Sequence, residues 1–100
     1  MNYIDRVAAL VHRALPTDLV PDEADVDDLC RIYALLVLAK GEQMNVEDVH
    51  DAWATWMSMK EPDHESLKPF RELDPDTRRE DAPFLLALQA VARDLQDDAR

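Results

Sequence analysis

Apolar residues recur at Tyr3, Ile4, Val7, Ala8, Val11, Ala14 and Leu15. This alternation of three and four predicts a first helix with one apolar face, stopped by Pro16. Residues 17–24 then read as an acidic loop holding Pro21. A second helix is expected from Asp25. Aspartate suits the cap, and Asp27 and Asp28 suit the positive end of the helix dipole. Its second half, Ile32 through Ala39, is nearly all apolar, which predicts a buried central helix. Lys40 falls in the last turn, and Gly41 is the expected left-handed terminator.

The third helix carries the plainest signals. Asn45 is placed as N-cap, with Asp48 three positions later as the reciprocal acid. Val46, Val49, Trp53, Trp56, Met57 and Lys60 follow at helical spacing, and His50, Trp53 and Met57 share one surface. Pro62 closes it. Residues 61–73 form a long connector, which Leu67, Pro69, Phe70 and Leu73 should pin to the core. Asp74 followed by Pro75 marks a new helix start. Pro83 predicts a break or kink there, with Asp81 re-capping the chain. A last helix follows with Phe84, Leu85, Leu88, Val91, Ala92 and Leu95 on one face, fraying from Gln96. The whole reads as a single all-α domain of four to five helices over residues 1–100, with the connector folded back on the third helix.

Composition sharpens this picture. The chain has one glycine among 100 residues, against thirteen alanines and thirteen leucines, a balance that favours helix over sheet. It leaves no material for a Gly-rich phosphate loop. Net charge is −11. Ten acids and two bases between residues 18 and 51 account for −8 of it. Such a surface repels nucleic acid, so no direct nucleic-acid binding is expected. It either keeps the chain soluble or attracts a basic protein partner, with Asp22, Asp25 and Asp28 as candidate contacts. Cys30 stands alone in an apolar run, as a small core residue does in a reducing cytoplasm. No apolar stretch reaches membrane-spanning length and no secretion signal is recognised. Self-association stays open.

Candidate chemistry is sparse. His50 and His64 are fourteen residues apart and match no zinc spacing, and there is no Cys pair. No metal or cofactor is expected. Acids abound, but no nucleophile–base pair is apparent, so the expected role is not enzymatic. Trp53 and Trp56 are either both core residues or one lines an open groove. Lys68, Arg71, Arg78 and Arg79 cluster. They either hold an anion or pair with Glu72, Asp74, Asp76 and Glu80.

One further pattern bears on function. Val49-His50-Asp51-Ala52-Trp53, then His64-Glu65-Ser66-Leu67-Lys68-Pro69-Phe70-Arg71-Glu72-Leu73, then Asp81, resembles the ryanodine receptor repeat domain. The likeness spans residues 46–84, in a short form similar to small proteins of actinobacteria and their phages. Ala54 to Met59 depart from the Gly-Trp-containing stretch usual in that family. The resemblance implies a helical domain that senses or sequesters a nucleotide-like small molecule. His50, Trp53, His64, Lys68, Phe70 and Asp81 would form its site. An aromatic ring would stack on a base, Lys68 would meet a phosphate, and Asp81 or His64 would take a base edge. The same residues also read as a structural latch that closes the connector on the third helix, and the latch is the preferred reading.

Overall fold

The computed structural model describes residues 2–20 and 25–98. Among these the helices are α1 (Tyr3–Ala14), α2 (Val26–Lys40), α3 (Val46–Lys60), the short α4 (Pro75–Arg79) and α5 (Ala82–Asp98). Single 3₁₀ turns lie at Thr17–Leu19, Gly41–Gln43 and Phe70–Glu72. The described residues contain no strand, so the all-α expectation holds. None of the helices is long and apolar enough to cross a membrane.

The start signals work where a side chain closes on its own turn. Asn2 caps α1 by accepting from the Asp5 amide, at 2.9 Å. At α3 the reciprocal box is complete: Asp48 N–H donates to Asn45 Oδ1 at 3.0 Å, and Asn45 N–H donates to Asp48 Oδ2 at 2.9 Å. Asp74 caps α4 through the Thr77 amide, with Pro75 in its first turn. The Thr77 amide and hydroxyl both donate to the Asp74 carboxyl and hold it below its ordinary range. Gly41 ends α2 at φ 57°, backbone that costs an L-residue with a Cβ.

Four expectations need correction. Asp25 sits at the start of α2 but makes no side-chain cap bond. Its carboxylate instead takes the Lys60 ammonium of α3, at 3.1 Å, a charge-assisted bond that competes well with a cap. Second, α2 is not buried all round: Leu35 and Leu38 are 63% and 44% exposed. The helix packs on α1, α3 and α5, and those three neighbours leave one stripe uncovered. Third, the break falls at Glu80–Asp81, before Pro83. Pro83 therefore lies in the first turn of α5, where its missing N–H loses no helical bond. Asp81 serves there through its carbonyl, which accepts from Leu85 N–H at 3.0 Å, and its side chain makes no capping bond. The last helix also continues through Asp98 rather than fraying from Gln96.

The core gathers Val7, Val11, Leu29, Tyr33, Val37, Val49, Trp56, Leu88 and Val91, all nearly inaccessible. Trp56 Nε1–H donates to the Asp25 carbonyl at 3.1 Å, and Lys60 Nζ lies 4.1 Å from its ring centre. Cys30 is buried, and that burial, with Asp27 nearby, pushes its thiol up to about 11. It is a packing residue and not a nucleophile.

Candidate functional site

The functional interest lies where the connector returns to α3. His50 is 3% exposed. Its Nε2–H donates to the Lys68 carbonyl at 2.7 Å. One turn on, Trp53 stacks against His50, centroids 5.8 Å apart and planes 27° from parallel. The connector supplies the other rings. His64 meets Trp53 edge-on at 5.2 Å, and Phe70 lies 6.1 Å from His50. Ser66 N–H donates to His64 Nδ1 at 3.0 Å, fixing that ring within its own turn. Leu73 is buried, Leu67 and Phe70 are half-buried, and Pro69 is exposed. Pro69 therefore shapes the connector without pinning it, contrary to the expectation from sequence. Arg78 completes the fold-back, donating to the carbonyls of Leu73 at 2.8 Å and Arg71 at 3.0 Å.

Between this closed connector and the rest of the bundle lies a cleft of about 390 Å³. Leu29 and Tyr33, one turn apart on α2, form its floor. His50 and Trp53 come from α3, His64 and Ser66 from the connector, Thr77 and Glu80 from the α4 region. Asp81 and Phe84 close it at the head of α5, and Leu19 borders it from the turn after α1.

Two polar groups in the cleft make no hydrogen bond to the described residues. The Asp81 side chain is 15% exposed and accepts no hydrogen bond among the described residues; its Oδ2 is 4.0 Å from His50 Nδ1. Tyr33 is 1% exposed, and its hydroxyl likewise makes no hydrogen bond to the described residues. No side-chain polar atom of the described residues is both fully enclosed and unbonded. The Tyr33 and Asp81 oxygens therefore face the open space of the cleft. Burial pushes the Asp81 carboxyl up to about 6; His50 offsets part of this and Glu80 adds to it. Burial, with Asp81 next in weight, raises the Tyr33 phenol as well.

The Asp81 shift has a measurable consequence. A carboxyl raised in the folded state binds its proton more tightly there than when unfolded. Its contribution to stability is full below about pH 4 and is lost as pH rises through about 6. The groups facing it are His50, Glu80 and Tyr33. Asp81→Asn keeps the shape and deletes the titration. It is expected to match the wild type near pH 4 and exceed it by about 2–3 kcal/mol near pH 7.5. Urea unfolding at the two pH values checks this; an equal gap at both would contradict it.

The structure sorts the residues singled out from sequence. His50, Trp53, His64 and Asp81 line the cleft, while Lys68 and Phe70 do not. Lys68 gives its carbonyl to His50 and leaves its side chain exposed. Phe70 packs near His50, ring centroids 6.1 Å apart. Trp56 is core and Trp53 lines the groove. Arg78 is spent on main-chain carbonyls and Arg79 pairs with Asp76. Of the acidic candidates, Asp22 lies outside the described residues, Asp25 is bonded to Lys60, and Asp28 sits 4.0 Å from Arg31. Among the described residues no group of three or more potential ligands could hold a metal.

Tyr33, Glu80, Thr77 and Phe84 were not singled out from sequence. Tyr33 had a signal: a phenol inside an apolar run needs a partner for its hydroxyl.

These features define an all-α domain with a lined cleft. The chain belongs to the family DUF7701, a domain of unknown function, whose model matches residues 2–93. No ryanodine receptor repeat is found, so the resemblance read from residues 46–84 is overturned. Its elements are short stretches at common helix and turn positions, and the family that matches covers nearly the whole chain. No curated protein and no solved structure matches.

Proposed function

We propose that this domain is a non-enzymatic binding module that takes a small planar molecule in the cleft between α2, α3, the connector and the head of α5. One observation carries the reading. A cleft of about 390 Å³ is lined by aromatic residues and holds a mostly buried carboxyl and a phenol that make no hydrogen bond to the described residues. Apolar walls with a few convergent polar groups are the usual make-up of a small-molecule site. An unpartnered buried carboxyl also lowers stability, as expected where a group is kept for binding.

A binding role fits better than catalysis. His50 Nε2 is committed to a main-chain carbonyl. Among the described residues no Ser, Thr or Cys side chain is hydrogen-bonded to a histidine, so the relay that activates a nucleophile has no counterpart. The base-stacking half of a nucleotide-like ligand suits Trp53, but the phosphate half finds no lining Lys or Arg among the described residues. The acidic-surface alternative has less support, because Asp25 and Asp28 each face a base. The buried lone thiol of Cys30 suits a reducing compartment such as the cytoplasm.

The test is a titration of neutral planar molecules, adenine and benzamide, followed by the two indole N–H signals. The Trp53 signal is expected to shift with those of Tyr33 and His50, the core Trp56 signal to stay, and Trp53→Ala to abolish the Tyr33 and His50 shifts while remaining folded. Unmoved Trp53, Tyr33 and His50 signals at saturating solubility would overturn the proposal.

A further inference from the structure

We infer that the bound end of the ligand is a positively charged planar nitrogen group, an amidinium, guanidinium or protonated amino-heterocycle, held by the Asp81 carboxylate. This rests on the cleft being a ligand site.

The first argument is the sign of charge. The cleft is lined by two acids, Glu80 and Asp81, and among the described residues by no Lys or Arg. The bases next to it in sequence are turned to other uses. Arg78 holds main-chain carbonyls and Arg79 pairs with Asp76. A phosphate or carboxylate entering here would meet like charge in a partly desolvated space.

The second argument is hydrogen-bond sense. His50 donates through Nε2, and its ring, when neutral, presents Nδ1 as an acceptor. That lone pair faces Asp81 Oδ2 across 4.0 Å, too far for a direct bond. Two acceptors therefore converge with no donor between them. A planar group bearing several N–H bonds satisfies both at once and brings the charge that the carboxylate lacks. The Tyr33 hydroxyl, unpartnered beside them, accepts a further N–H.

The third argument is the walls. Tyr33, Trp53 and Phe84 contribute aromatic side chains to the same cleft, and a flat cation that comes to lie over an aromatic face is attracted beyond simple burial. An apolar neutral ring would use the walls and leave Asp81 unmatched.

Benzamidinium, benzamide and benzoate share one planar frame and carry +1, 0 and −1. Each is titrated into the full chain, with the Trp53 indole signal as readout. Benzamidinium should bind at least about ten-fold more tightly than benzamide, with benzoate weakest. Asp81→Asn should collapse the first gap to about two-fold or less, and Glu80→Gln should leave most of it. Equal binding of benzamidinium and benzamide, a preference for benzoate, or a gap that survives Asp81→Asn would each overturn the inference and leave the cleft standing as a site. No response to any of the three would remove the site itself and the inference with it.

Discussion

Trp56→Ala is expected to cost about 3–5 kcal/mol, close to what a large buried aromatic loses on truncation. A domain of this size has only about 5–15 kcal/mol in hand, so the variant should melt at least about 15 °C lower. The reason is that Trp56 does three things at once. Trp56 is 2% exposed, in the second half of α3. Its indole N–H ties the Asp25 carbonyl, so the start of α2 is fixed to α3. Its face carries the Lys60 ammonium, which also bonds the Asp25 carboxylate. Trp56→Phe separates these contributions. It keeps most of the packing and loses the N–H bond, for about 1–2 kcal/mol. Thermal melting followed by circular dichroism reads both. A Trp56→Ala loss under about 1 kcal/mol would mean that the core has been placed wrongly.

The second large effect is local as well as global. His50→Ala removes the donor to the Lys68 carbonyl and the ring between Trp53 and Phe70. An unsatisfied carbonyl plus a void is worth about 2–4 kcal/mol. More tellingly, amide exchange along residues 61–74 should accelerate far more than exchange in α1, which His50 does not hold. His50→Gln discriminates the cause. Its side-chain amide nitrogen reaches the place of Nε2 and can donate to the same carbonyl. The expected order of protection is wild type, then Gln, then Ala. If Gln and Ala are equally exposed, the ring packing and not the hydrogen bond closes the connector.

Much of the fold was legible because it is written locally. The Asn45–Asp48 box, the Asp74–Pro75 start and the Gly41 stop each depend on residues within one turn, and each is found. What failed depends on neighbours distant in sequence. The Asp25 carboxylate was read as a cap because nothing near it shows that Lys60, thirty-five positions on, competes for it. Leu35 and Leu38 were read as buried because an apolar stretch does not show how many helices surround it. Pro83 was read as the break because proline is the strongest local signal, whereas the chain turns two residues earlier and uses the proline inside a first turn.

The site was half legible for the same reason. His50, Trp53, His64 and Asp81 stood out as residue types unusual in their settings, and all four line the cleft. Tyr33 and Phe84 did not, since each sits in an apolar run where an aromatic is expected to be core. Lys68 attracted notice for its charge but contributes its carbonyl, which any residue there would provide. The likeness to a ryanodine receptor repeat arose because a helix carrying His-x-x-Trp and a Pro-aromatic turn is a short pattern. It says nothing of the α1 and α2 segments that the matching family includes.

A single experiment reaches the arrangement on which cleft, latch and ligand all depend. In a two-dimensional NOE spectrum of the wild-type chain, strong cross-peaks are expected from the Trp53 indole to the His64 imidazole and from the His50 imidazole to the Phe70 ring, whose centroids lie 5.2 and 6.1 Å apart. Their absence, with the α3 helical contacts intact, would detach the connector from α3 and contradict the account.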